Sequence, residues 1–422
     1  MRSSLQHSFA RSSYLLLIVS AVAMPVRAMD LLEAYSRARV HDASFQAAKA
    51  DRAVNEADAL VARLAYLPSA SANFGRESTE NRDRTTYQIS QPVLDLEKFA
   101  TMREAAPREV LAEVGFRAKE QDLAARVTRT VLDIIRSRET IRLAQEQITA
   151  LTEQATRSNR RYELGMGTLT EVSTAKVRLE QANAMHRQAS AQLAIAEKLF
   201  VSLIGVEAPK NSFTPAKAPK LRLATAPDNL IESALKGNIL VLQSRANERL
   251  AELGKQKAMA AYLPQINAVS RTTRVDGSSD NYSGMQLSIP FGVSAANFAS
   301  QYKAALAVTR AGELRRDVED KQRLEVERLW SLVQSGIDEL NIRRLAIESA
   351  ELSAEGNIKS FEAGMSSAVD VLNAILTVFD TKRDQLNTLA TLVEHYLSLQ
   401  MTAAEVPFEA LRRVQVVLLE AR

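Results

Sequence analysis

The chain has 422 residues, with 54 Lys+Arg against 50 Asp+Glu and a formal charge of +4. Three of the basic residues, Arg2, Arg11 and Arg27, fall in the first 28 positions, which carry no acid, so the excess outside that segment is too small to indicate a nucleic-acid partner. The absence of cysteine excludes disulfides, thiolate metal sites, thiol nucleophiles and lipoprotein attachment, and four scattered histidines (His7, His41, His186, His395) form no local metal motif; no cofactor is expected. Only 14 Gly and 11 Pro punctuate the whole length, too few for several compact domains, which leaves long helices.

Residues 1–28 read as a secretory signal peptide: Arg2 and Arg11 precede the apolar run 15–23, and Val26-Arg27-Ala28 supplies a cleavage site. The alternative, a retained N-terminal anchor, is disfavoured because about nine apolar residues are too short to span a bilayer as a helix. No later stretch could cross a membrane as a helix, so any membrane passage must use β-strands.

The remainder is written twice. Ala65-Tyr66-Leu67-Pro68 returns as Ala261-Tyr262-Leu263-Pro264, Pro92 as Pro290, and Arg160 to Met166 as Lys359 to Met365, with the offset growing slowly from 196 to 199. The first repeat is placed at 29–205, with helices 31–66, 95–163 and 169–203 and a β-hairpin at about 69–93. A proline-rich linker, 206–227, separates it from the second repeat at 228–402, with helices 229–262, 293–361 and 368–401 and a hairpin at about 265–291. The hairpins rest on two-residue alternation: Tyr87, Ile89 and Val93 in the first, Met285, Leu287, Ile289 and Phe291 in the second. Residues Glu80 to Asp83 and Asp276 to Asn281 are the expected turns. A tail, 403–422, either wraps the outside of the helical body or lies disordered.

The long helices predict roughly 100 Å of rod each at 1.5 Å per residue. Val127, Ile134, Ile141, Ile148, Ala155 and Tyr162 recur every seventh residue, and Val326, Val333, Leu340, Ile347, Ala354 and Phe361 repeat the pattern. That spacing predicts supercoiled packing against neighbouring helices. The companion row Leu123, Thr130, Ser137, Ala144, Leu151 and Ser158 is mostly small, which suits a sheet or tube of helices better than a two-stranded zipper.

Four strands cannot close a membrane barrel, for which about eight is the minimum, so several chains must pool their hairpins. A mainly α fold with a membrane β-barrel part follows, built on a duplicated helix, hairpin, long helix, helix unit. An enzyme is excluded by the lack of nucleophile, phosphate-loop and histidine motifs. The remaining rival is a periplasmic coiled-coil adaptor or structural protein, which explains the heptads but not two apolar-faced hairpins.

The Tyr-Leu-Pro pair, Gln88-Ile89-Ser90-Gln91-Pro92-Val93, Tyr162-Glu163-Leu164-Gly165 and Val369-Asp370-Val371-Leu372-Asn373-Ala374, in that order, resemble the TolC-type outer membrane channel-tunnel family of Gram-negative bacteria. The resemblance implies a homotrimer with a 12-stranded β-barrel continued by a 12-helix α-barrel across the periplasm. It further implies a passive exit duct that docks, through a periplasmic adaptor protein, to an inner-membrane ABC or proton-driven transporter. Type I protein secretion and drug efflux both use such a duct; the missing lipidation cysteine leans toward the secretion branch. Its implied periplasmic entrance comprises Asp370, Asn373, Thr170, Glu171, Phe361 and Ser366, with Asp370 forming one acidic ring where the family pattern often has two. Phe361 lacks the hydroxyl, and Ser366 the charge, that latch the entrance in TolC itself, so a weaker latch is expected. Gly165, Met166, Gly167, Gly364 and Met365 crown the turns and are the candidate adaptor contacts.

Plainer roles stand beside these. Thr168 to Glu171 and Ser367 to Asp370 are capping boxes by pattern, and the glycines suit turns that need positive φ. Trp330 is expected to pack rather than bind, and His186 and His395 to be ordinary surface or interface residues. Tyr87 and Tyr282 belong either to an interfacial aromatic girdle or to plain strand packing.

Overall fold

A computed structural model describes residues 29–77, 82–210, 212–213, 221, 223, 226–275, 277–290 and 295–418. The signal peptide, most of the linker, Phe291, and parts of both hairpin turns and of the tail lie outside the described residues.

The first expected helix is two. Helix α1 (Leu31–His41) stops at Asp42, whose backbone is extended and whose carboxylate accepts the Phe45 N–H at 3.1 Å, starting α2 (Ala43–Arg63) afresh. An aspartate that caps locally competes with helix continuation. Arg126 seals the corner with a 2.8 Å bond to the same carboxylate and holds its pKa below the ordinary range against the opposing effect of burial. A 3-10 turn at Leu64–Tyr66 then leads into β1 (Ser69–Glu77), which pairs with β2 (Arg82–Leu94).

The first long helix is likewise broken. Asp95 caps α3 (Leu96–Arg103), and α4 (Ala105–Glu163) restarts after Glu104. Pro107 explains the break, because it cannot donate to the Arg103 carbonyl one turn earlier and its ring crowds that oxygen. Helix α5 (Leu169–Ile204) returns. The second repeat opens with α6 (Pro227–Gly237), so the helix begins two residues before the expected start, on a proline suited to the first turn. It too is interrupted, at Asn238, whose side chain caps α7 (Ile239–Ala260) through the Leu240 N–H. Strands β3 (Gln265–Val275) and β4 (Ser278–Ser288) follow, then α8 (Ala295–Glu362), 68 residues without a break, and α9 (Ala368–Thr402).

The tail departs from disorder: α10 (Pro407–Leu418) buries Ala410, Leu411 and Val414 against α9, α1 and α4. Gln415 accepts the Leu32 N–H at 3.3 Å and donates to Asp30 at 3.2 Å, tying the end of the chain to its first helix.

The four strands form one antiparallel sheet in the order β1-β2-β3-β4. Its register places Phe74, Tyr87, Ile89, Met285 and Leu287 on one face, all exposed, with Phe74 edge-on to Tyr87 at 6.3 Å. Gln88 and Arg271 bond on the other face, and Tyr282 is there with them, so it does not share the apolar face with Tyr87.

Along α8 the predicted seam is mostly buried, at Val326, Val333, Ala354 and Phe361 with Leu340 and Ile347 half-buried, but along α4 it is only half right. Val127 and Ile134 are fully buried, but Ile141, Ile148 and Ala155 are half-buried and Tyr162 is exposed. In that lower half of α4 the burial passes to the companion row, where Ser137, Ala144, Leu151 and Ser158 are covered. Small side chains there let α5 and α9 come close, and closeness rather than size decides which row is buried. Trp330 packs against the main core, and His186 and His395 are half-buried.

Candidate functional site

The turns linking α4 to α5 and α8 to α9 hold the predicted site residues. Both close by one hydrogen-bond pattern. The Met166 N–H reaches the Arg161 carbonyl at 2.8 Å and the Gly165 N–H the Tyr162 carbonyl at 2.9 Å; Met365 to Ser360 (2.8 Å) and Gly364 to Phe361 (3.0 Å) repeat it. This double bond requires a left-handed residue after the helix, and Gly165 (φ 71°) and Gly364 (φ 74°) supply it. A side chain in that conformation costs roughly 1–2 kcal/mol. Gly364→Val is therefore expected to lower stability by about that amount, and Gly167→Ser by less, because Gly167 has no left-handed φ but its new Cβ would lie 3.2–3.3 Å from the Glu171 carboxylate, Arg161 Cβ and Tyr162 N; paired urea melts rank them. Met166 and Met365 stand exposed at the crowns, 61% and 79% accessible.

Each return helix begins with a complete capping box. Thr168 accepts the Glu171 N–H at 3.2 Å while Glu171 accepts the Thr168 N–H at 3.4 Å. Ser367 and Asp370 do the same at 3.2 and 3.1 Å, and the Ser367 hydroxyl adds a 2.6 Å bond to the Asp370 carboxylate. Those bonds, led by the hydroxyl, hold the Asp370 pKa below the ordinary carboxylate value. The box is thus intact at neutral pH and is lost only as acid protonates Asp370 through that lowered value. Among the described residues no bond joins Glu171 to Asp370; Thr170 and Asn373 are exposed, and Ser366 bonds to Asn357 at 3.4 Å.

Phe361 is the exception among the candidates. Rather than lining an opening, it is 3% accessible, packed in a cluster with Leu151, Val371 and Leu372. The Arg161 guanidinium lies 4.5 Å from its ring centre and donates to the Phe361 carbonyl at 3.1 Å, and Arg157 pairs with Glu362 at 2.7 Å. The end of α4 is in this way tied to the end of α8. Arg161 appears in the sequence only within the repeat, and Arg157 just before it; the usable signal is the basic end of α4, Arg160 and Arg161, opposite the apolar Phe361 of the sister turn.

The model of the outer membrane efflux protein family matches residues 34–206 and again 230–403, covering most of the chain. The chain belongs to that family. It is 24% identical to the proteases secretion protein PrtF of Dickeya chrysanthemi over 92% of this chain and 91% of the relative. It is 25% identical to the outer membrane efflux protein BepC of Brucella suis over 82% of this chain and 78% of the relative. The fold matches the crystal structure of CusC with a TM-score of 0.77 at 14% identity, over 89% of this chain and 92% of that one. The family is one of outer membrane efflux channels, neither enzymes nor coiled-coil adaptors.

Proposed function

We propose that the chain is the outer-membrane exit duct of a tripartite export system, acting as a homotrimer in the Gram-negative outer membrane and extending into the periplasm. One observation carries this reading: a four-stranded sheet whose Phe74, Tyr87, Ile89, Met285 and Leu287 share an exposed apolar face and whose β1 and β4 have no partner on their outer sides among the described residues. Such a ribbon is unstable in water and too narrow to close in lipid, and three copies give a sheet wide enough for both. Helices α4 and α8, roughly 90 and 100 Å long, then form the wall of a tube beneath it.

The helix turns become the periplasmic entrance. Three copies of Asp370 ring it with negative charge, which favours cations, and Gly165, Met166, Gly167, Gly364 and Met365 are offered to a periplasmic adaptor that links the duct to an inner-membrane ABC or proton-driven transporter. Kinship with PrtF supports proteins as cargo, as in type I secretion; kinship with BepC supports small-molecule efflux as the second reading. No energy source is needed in the duct itself.

The test is reconstitution of the signal-free protein in a planar bilayer, with mass measured in detergent. A trimer with discrete conductance is expected, and a water-soluble monomer that leaves bilayers tight would refute the reading. In the same apparatus, block by trivalent cations is expected to weaken several-fold in Asp370→Ala and to persist in Asn373→Ala. The opposite pattern would remove Asp370 from the entrance ring.

A further inference from the structure

A cleft of about 680 Å³ opens far from the helix turns, between α2, the α3–α4 break and α7. Arg63, Arg103, Arg245 and Arg249 reach its lining, and Met102 and Leu242 contribute to a surface that is otherwise apolar, without one acidic residue. Three of the arginines already have carboxylates outside it: Arg63 with Glu109, Arg245 with Glu319 at 3.0 Å and Arg249 with Glu252 at 2.5 Å. Arg103 has no ion pair or hydrogen bond among the described residues. Arg103 is the last residue of α3, one position before the junction at Glu104. Glu104 itself turns away, nearly buried between Arg108 and Lys257 at 2.8 and 3.1 Å, and neutralises neither the cleft nor Arg103.

The cleft is also built within one chain. Its lining residues come from α2, α3, α4 and α7 of the same chain. Its volume is that of an ordinary small-molecule site, and its chemistry is an apolar floor with an uncommitted cation.

We propose that this cleft binds an amphiphilic anion, with a compact carboxylate, sulfate or phosphate head held by Arg103 and a hydrocarbon tail laid along Met102 and Leu242. A guanidinium forks onto such a head through two N–H groups, and the tail leaves water for the apolar floor. The head can belong to a membrane lipid or to a diffusible amphiphile.

The full signal-free protein in phosphatidylcholine nanodiscs is to be titrated with a dansylated undecanoate, followed by displacement with laurate. Saturable binding is expected, with laurate about tenfold weaker on Arg103→Gln and largely restored on Arg103→Lys, while the uncharged methyl ester fails to displace. Equal displacement by laurate and its ester would overturn the anion site. So would laurate binding unchanged in both Arg103→Gln and Leu242→Asp, or no saturable binding at all. Repeating the titration in discs containing phosphatidylglycerol separates the sources: lost laurate binding assigns the site to membrane lipid, and retained binding to a diffusible amphiphile. Neither arm depends on conductance, so failure here leaves the exit-duct reading untouched.

Discussion

Leu411→Asp is expected to cost the protein roughly 3–5 kcal/mol and to release α10 from the body. Leu411 is fully buried, between Ala410 and Val414 on one helix face and the α9 and α1 surfaces on the other. A carboxylate there has no cation at hand: Arg413 is engaged with Glu405 at 2.7 Å, and Arg412 with Glu409 at 3.5 Å. The charge must be desolvated without compensation or the helix must leave. If α10 leaves, Gln415 no longer holds Asp30 and Leu32, and the start of α1 frays with it. Limited proteolysis should then cut near residue 405 and at the N-terminal end of α1 together, and the thermal midpoint should fall. Cleavage at the C-terminal site alone would show that the two ends are not coupled, and an unchanged midpoint would show that α10 is dispensable.

Phe361→Ala is expected to loosen the turn end of α8, the proposed entrance, more than any change of its surface charges. The ring is nearly fully buried and serves two groups, the apolar cluster around Leu151 and Leu372 and the guanidinium of Arg161. Removing it forfeits about 3–5 kcal/mol of local packing, since Phe→Ala leaves a cavity as well as losing transfer energy. Arg161→Ala is expected to cost less, about 1–2 kcal/mol, because it removes the cation and its bond to the Phe361 carbonyl but leaves the cluster. With α4 and α8 untied, single-channel conductance is expected to rise in the order wild type, Arg161→Ala, Phe361→Ala. Identical conductance for all three would mean that this tie does not restrain the entrance. Under the proposed function, the Arg161–Phe361 contact would take the place of the hydroxyl and charge that Phe361 and Ser366 lack.

The breaks at Asp42 and Asn238 show where reading along the chain failed. Each is a capping residue inside a stretch whose apolar pattern runs on as for one helix. They lie 196 residues apart, the same offset as the two Ala-Tyr-Leu-Pro marks, so comparison of the repeats could have found them. Pro107 was legible in the same way, as a proline that interrupts the first long helix and has no equivalent in the second. The candidate turns were legible because Gly165 and Gly364, and the two capping boxes, are local devices whose partners lie within five residues. Phe361 was legible as a buried member of the heptad seam, whereas its contact with Arg161, 200 residues away in sequence, was not.

The amino-acid order by itself determined the duplication, the long helices, the alternating strands and the form of each helix terminus, since all of these follow from periodicity or from bonds between near neighbours. Only the tertiary structure decided which heptad row is buried in the lower half of α4, that α10 clasps α1, that Arg161 covers Phe361, and that Arg103 lies without a partner beside an apolar cleft. Those outcomes depend on how closely distant helices approach one another, a distance set by the shapes of both surfaces together and written in neither segment alone.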